Sequence, residues 1–265
     1  MEIGIGQYYP GNSFLHRLDP RTKIIFVLFY MVMIFIAKDI LSFLLLGVFT
    51  LLVIFLSKVP FGYYFKGLKP ILFIMVITSL LNLFLSGGEV IFKVPYLGWT
   101  VTDEGLRLSV FMILRLSFLL IGTSVLTFTT SPVVLTDGTE ALLRPLSVIG
   151  FPSHEIAMMM TIALRFIPTF AEEADKIKKA QAARGADFSS GNIFTKVKAL
   201  IPILVPLFVG AFRRADELSV AMESRCYRGG EGRTSLKKLE FGKRDFLSFF
   251  VLLLLTVAII LIKIF

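Results

Sequence analysis

The chain has 265 residues, 55% of them hydrophobic, with 27 Phe and a formal net charge of +9 at pH 7. That apolar share exceeds the roughly 45–50% of soluble globular domains, and the long charge-free runs point to an integral membrane protein. A lone cysteine, Cys226, excludes an intrachain disulfide and a thiolate metal cluster, and His16 and His154 stand far apart with no metal-ligand spacing.

Met1 to Asp19 holds Gly, Pro and charges but no apolar core, so no cleavable signal peptide is expected and the first apolar segment is retained. Tyr8-Tyr9-Pro10-Gly11-Asn12-Ser13 reads as a loop. Asp19-Pro20 reads as a helix start, because Asp caps and Pro suits the first helical position. The first apolar run, Ile24 to Ala37, is short for a span of about 20 residues, with Arg21 and Lys23 snorkelling at its start. Lys38-Asp39 turns the chain into a second run, Ile40 to Leu56, giving an antiparallel hairpin. Lys58-Val59-Pro60 breaks it, and Phe61 to Lys69 mixes aromatic and basic side chains as at a headgroup boundary. The third span is expected from Pro70 to Ser86. The connection from Gly87 to Glu104, with the only Trp at Trp99, reads either as a small hairpin or as an interfacial loop. A fourth span covers Leu106 to Thr130, interrupted by Arg115.

The character then changes. Residues 131–245 carry 17 of the 28 Lys and Arg and 13 of the 19 Asp and Glu while staying rich in Leu, Ile, Met and Ala, the mark of amphipathic helices at the membrane surface. Pro and Gly divide the block into a short helix, Val133 to Ser147, and two long ones. The first long helix runs from Ser153 to Arg184-Gly185, kinked at Pro168, and the second from Ile193 to Arg225, bent at Pro202 and Pro206. Phe188 to Asn192 is a turn between them. A last apolar run, Phe246 to Ile262, makes five spans. The expected fold is an all-α polytopic membrane protein: residues 1–130 with four spans, a block of amphipathic helices over 131–245, and a final span over 246–265. Basic residues gather on one side, at Arg17, Arg21, Lys23, Lys58, Lys66, Lys69 and throughout the block. That side is read as cytoplasmic, which puts the N-terminus inside and the C-terminus outside.

One pattern occurs twice: Ala-Asp-x4-Ala-x3-Arg, followed by a small residue. It places Asp175, Ala180 and Arg184 in one copy and Asp216, Ala221 and Arg225 in the other. A cation at a helix C-terminus is favoured by about 0.3–1 kcal/mol, which explains either Arg alone. It does not explain the shared spacing. Small neighbours, Ala183 and Gly185 around the first Arg and Ser224 and Cys226 around the second, leave room for another protein's backbone to approach a planar, bidentate donor. Docking is therefore the favoured reading. Arg165-Phe166-Ile167-Pro168 lies in an apolar stretch, so its Arg belongs at the interface or in an internal pair.

Arg115 is an intramembrane charge, and such charges are functional candidates by default, though a position near a helix end or at a partner surface accounts for it equally well. Asn82 reads as a helix-packing hydrogen bond or as part of a pathway. Gly229-Gly230-Glu231-Gly232-Arg233-Thr234 lacks the Lys and hydroxyl of a phosphate-binding loop and reads as a linker, and His154-Glu155 lacks the second His of a zinc motif. No catalytic constellation emerges. The positive charge alone does not argue for nucleic acid, since it is divided among loops.

Four spans, a basic three-helix block and a last span, with Leu18-Asp19-Pro20-Arg21-Thr22-Lys23, Arg165-Phe166-Ile167-Pro168, Ala183-Arg184-Gly185 and Ser224-Arg225-Cys226, resemble the transmembrane T component of energy-coupling factor transporters. The resemblance covers nearly the whole chain. It implies that two Ala-Arg-Gly-type motifs end coupling helices and dock into two cytoplasmic ABC-type ATPases, a homo- or heterodimer. Arg184 matches that motif in full; Ser224 and Cys226 depart from it but stay small. It also implies a membrane-embedded S component that captures a vitamin or a transition-metal ion. ATP and magnesium would be used by the ATPases, with no cofactor, metal or nucleic acid bound by this chain. A self-contained secondary transporter or intramembrane enzyme using Arg115, Asn82 or His154 is the alternative.

Overall fold

The computed structural model describes residues 8–93, 100–186, 188, 192–229 and 239–264. They divide into two compact units, one of residues 8–139 with 239–264 and one of residues 140–229. Among the described residues there are eight α-helices and a single two-stranded sheet.

In the first unit, α1 (Pro20–Ile36) starts as its sequence demands: the Asp19 carboxylate accepts the Arg21 amide, and Pro20 takes the first helical position. At 17 residues it is the shortest of the apolar helices of this unit, about 25 Å long at 1.5 Å per residue. α2 (Ile40–Ser57), α3 (Phe61–Leu85), α4 (Asp103–Thr129) and α8 (Lys243–Ile264) are each long and apolar enough to cross a membrane. The chain is a multi-pass membrane protein.

α3 differs from expectation at its start. The helix begins at Phe61 and runs through Pro70, rather than starting there. Pro60 precedes its first turn, and the Tyr64 hydroxyl shares a hydrogen bond with Ser57 at the end of α2, which fixes the early turns. A proline inside a helix removes one backbone bond, a cost the surrounding structure must meet.

The connection after α3 is a hairpin: β1 (Val90–Lys93) pairs antiparallel with β2 (Thr100–Thr102) across a bulge. Trp99 lies outside the described residues. Thr102 then caps α4 by accepting the Gly105 amide, with Asp103 and Glu104 in the first turn where carboxylates suit the helix dipole. α3 and α4 approach closely because Gly105 has no side chain; a Cβ there would lie 2.8 Å from the Leu83 carbonyl oxygen. The Ser109 hydroxyl donates to the Ser79 carbonyl along the same seam. The core of this unit gathers Tyr30, Met33 and Ile34 from α1, Phe43 and Leu46 from α2, Phe111 from α4, and Leu252 and Ile259 from α8.

Four helices rather than the five expected meet the length and hydropathy of a span among the described residues, because α1 is about one turn short of the roughly 20 residues a span needs. The block between α4 and α8 begins with α5 (Pro132–Leu143), followed by a 3-10 segment, Arg144–Ile149. The single helix expected to Ser147 thus tightens at Arg144-Pro145, where proline cannot continue the α-helical ladder. α6 (Ser153–Ala183) and α7 (Ile193–Ser224) are the two long helices of the second unit. Both continue through their prolines, Pro168 in one and Pro202 and Pro206 in the other. The turn expected over Phe188 to Asn192 and the linker from Gly230 to Thr234 lie largely outside the described residues.

Candidate functional site

The two copies of the repeat are the last turns of α6 and α7, and they end in the same way. In α6 the Gly185 amide donates to the Ala182 carbonyl and the Ala186 amide to the Gln181 carbonyl, with Gly185 left-handed at φ +87°. In α7 the Cys226 amide donates to the Glu223 carbonyl and the Tyr227 amide to the Met222 carbonyl, with Cys226 at φ +56°. Each is a Schellman stop, the 6→1 and 5→2 pair of bonds that closes a helix. Glycine adopts the left-handed conformation at no steric cost, whereas Cys226 does so against one.

Arg184 and Arg225 therefore occupy the same residue of the same stop, and both are exposed. Ala183, Gly185, Ser224 and Cys226 beside them are also exposed. Asp175, Ala180, Asp216 and Ala221 lie on the outer surface of the two helices, as do Arg165 and Pro168 farther back on α6.

The pair that joins the helices was not singled out from the sequence. Arg214 Nη2 on α7 lies 2.7 Å from Glu173 Oε2 on α6, both side chains about three-quarters buried, and the guanidinium stands 5.1 Å from the Phe170 ring. Gly210 makes the approach possible, because a Cβ there would meet Glu173 Oε1 at 3.1 Å. Glu173 and Arg214 immediately precede Ala174-Asp175 and Ala215-Asp216, so they hold the same position in the repeat. The helices consequently touch at equivalent residues. From that contact each runs on eleven residues to its terminal Arg, about 16 Å at helical rise. The signal was present in the sequence: residues of opposite charge 41 positions apart, the step that superimposes the two copies.

The other singled-out residues take local structural places. Arg115 donates from Nη2 to the Ala37 carbonyl at the end of α1, between the rings of Phe35 and Phe43. The Asn82 amide donates to Thr78, one turn back in its own helix. His154 Nδ1 lies 2.8 Å from Glu140 Oε1, tying α6 to α5. No group of His, Cys, Asp and Glu among the described residues has metal-binding geometry.

The Leu18–Lys23 motif is a fastening point in the first unit. Lys23 Nζ donates to the Thr129 carbonyl and to Thr130 Oγ1 at the end of α4. Arg21 donates to the Leu239 carbonyl and covers Phe241, while the Asp19 amide donates to Asp245 Oδ1 in the first turn of α8. One turn of α1 thus holds the last residues of α4 and the first of α8.

Apolar helices long enough to cross a membrane, together with two long amphipathic helices that end in matched, exposed arginines, define a multi-pass membrane protein. The cobalt transport protein family model CbiQ matches residues 11–236. The chain is 57% identical to the energy-coupling factor transporter transmembrane protein EcfT of Clostridium kluyveri, over 99% of this chain and 97% of that one. It is 55% identical to the protein of that name from Acidaminococcus fermentans, over 99% and 97%. With that of Bacillus subtilis the identity is 50%, over 91% of each chain. The chain belongs to this family of transmembrane components of energy-coupling factor transporters.

Proposed function

We propose that this chain is the coupling subunit of an ATP-driven importer. It links two cytoplasmic ABC-type ATPases, identical or different, to a membrane-embedded S component that carries a vitamin or a transition-metal ion. The observation that carries this reading is the matched pair of helix tips, each with an exposed Arg on the same Schellman stop at the same distance from the Glu173–Arg214 contact. Two equivalent plugs call for two equivalent sockets. Arg184 and Arg225 supply the bidentate donors, and Ala183, Gly185, Ser224 and Cys226 keep the tips slim enough for a groove.

A coupling helix must transmit displacement without bending. The largely buried ion pair and the Gly210 close approach stiffen the two helices against each other. On α7, Ile201, Leu204, Val205, Phe208 and Phe212 form an exposed apolar stripe at helical spacing, a surface suited to the S component. ATP and magnesium belong to the ATPases in this scheme, and this chain is non-catalytic. The tips and the N-terminus lie in the cytoplasm and the C-terminus outside, as the distribution of Lys and Arg favours.

The test is co-purification of the ATPases with wild-type chain and with Arg184→Glu, Arg225→Glu. The double variant is expected to be inserted in the membrane, to retain the S component and to lose both ATPases and uptake. Full ATPase retention with unimpaired uptake would sink the proposal.

A further inference from the structure

A cavity of about 240 Å³ opens within the unit of residues 8–139 and 239–264, and its lining is almost wholly apolar. An apolar cavity of about 150 Å³ already accepts a benzene-sized ligand, so this one takes a longer hydrocarbon segment. Of its lining residues, Leu52 and Leu56 on α2 and Leu247 on α8 are themselves exposed. Both helices are long and apolar enough to cross a membrane, so an opening between them faces bilayer hydrocarbon rather than water.

The polar side chains that line it are satisfied within the protein, Tyr30 by Thr50, Lys23 by the Thr129 carbonyl and Thr130, and Ser248 by the Arg244 carbonyl, with one exception. Thr22 is 1% exposed and lines the cavity, and its hydroxyl has no hydrogen-bond partner. A buried hydroxyl without a partner is unfavourable, and a ligand bearing an acceptor would satisfy it. Nearer the helix ends are two exposed cations: Arg17, beside the lining residue Leu18, and Arg244, one turn before Leu247 and Ser248. Neither has an ion-pair partner among the described residues, whereas the neighbouring carboxylates are committed, Asp19 to Arg21 and Asp245 to the amides of Asp19 and Gly242. Lys23 also lines the cavity, but its ammonium is taken up by the His16 and Thr129 carbonyls and Thr130 Oγ1. Along α1 and the segment before it the uncommitted groups are therefore a cation at Arg17 outside the lining and a free hydroxyl at Thr22 within it, followed by the wall at Phe26 and Tyr30.

A phospholipid presents the complementary groups in the same order: phosphate, glyceryl ester carbonyl, acyl chain. We propose that this cavity holds one acyl chain of an anionic phospholipid drawn laterally from the bilayer. Its ester carbonyl accepts from the Thr22 hydroxyl and its phosphate is held near Arg17 and Arg244. A free fatty acid carries its only polar group at one level and does not match both. The lipid fills the space where α1, α2, α4 and α8 meet, beside the Lys23 fastening point.

The experiment uses the full chain in vesicles of phosphatidylethanolamine and phosphatidylglycerol, with a photoactivatable diazirine placed in an acyl chain of one lipid or the other, and maps adducts by mass spectrometry. The expected result is adducts from the phosphatidylglycerol probe concentrated at Phe26, Tyr30 and Val53. Val53→Trp, which fills the cavity, should abolish them. Arg17→Gln and Arg244→Gln, at exposed positions that leave the core untouched, should each weaken labelling by that probe roughly fivefold, the effect of one basic residue near an anionic surface. Three outcomes overturn the proposal: equal labelling by both probes, competition by oleate as effective as by phosphatidylglycerol, or adducts spread over lipid-facing positions such as Phe73 and Leu85 in proportion to exposure.

Discussion

Glu173 and Arg214, at the same position in two copies of one repeat, form an ion pair 2.7 Å long between α6 and α7. Equivalent residues of two helices meet each other only where the helices are related by an approximate two-fold axis. The two terminal arginines, eleven residues farther on in each helix, are then related by the same axis. Glu173→Gln leaves Arg214 without its counter-charge in a partly buried setting. The expected loss lies between the small value of exposed pairs and the larger value of buried ones, roughly 1–3 kcal/mol. The swap Glu173→Arg with Arg214→Glu should recover most of it, because the two positions are equivalent. Thermal unfolding of the single and double variants in detergent measures both; a swap no more stable than the single changes would contradict the approximate symmetry.

The two helix stops differ at one residue, Gly185 against Cys226, and that difference gives opposite predictions. Gly185→Val forces a β-branched residue to φ +87°, costing roughly 1–2 kcal/mol and fraying the end of α6. Cys226→Gly relieves the left-handed strain at φ +56°, but the more flexible unfolded chain offsets part of the gain, leaving a stabilisation of under about 1 kcal/mol. Hydrogen exchange at the Gly185, Ala186, Cys226 and Tyr227 amides reads each effect locally. If the shape of the stop matters as much as the charge, Gly185→Val weakens ATPase co-purification with Arg184 intact.

The apolar spans and both tips were legible because their signals are local: hydropathy over a window for the helices, a fixed spacing for the arginines. The start of α3 was not. Phe61 to Lys69 resembles a headgroup-level loop and Pro70 a helix start, but contacts with α2 such as Tyr64 to Ser57 extend the helix backwards through the proline. The hairpin after α3 was one of two open readings, since strands of four and three residues leave too few positions for a periodicity. Charged pairs were the least legible. Glu173 and Arg214 look like surface residues of amphipathic helices until the copies are superimposed, and nothing local connects Asp245 with Asp19, 226 residues away.

Lys23 is buried and donates to the Thr129 carbonyl and Thr130 hydroxyl, joining α1 to the end of α4. Lys23→Met keeps the apolar stem and removes the donor, stranding a buried carbonyl. A charged hydrogen bond of this kind contributes about 1.5–3 kcal/mol, so a loss of that size is expected. Asp245→Ala strands the Asp19 amide in the same way and should lower stability by about 1–3 kcal/mol. Each variant should lower the unfolding midpoint of the purified chain. A midpoint unchanged in both would mean that this cluster does not fasten the helices.

Arg115 separates a structural charge from a transport residue. Its guanidinium donates to the Ala37 carbonyl, just past the last turn of α1, and lies 5.9 Å and 5.8 Å from the Phe35 and Phe43 rings. A carbonyl at a helix end has no partner within its own helix, and a cation there is favoured by the dipole as well. Arg115→Met is therefore expected to cost about 1–2 kcal/mol, from the lost bond and cation–π contacts. Uptake by the assembled transporter should fall only as far as the amount of folded protein falls. Arg115→Lys, which keeps a donor and a charge, should restore much of the stability. Uptake normalised to folded protein separates the two roles: a loss of tenfold or so in Arg115→Met at undiminished stability would place Arg115 on a transport pathway.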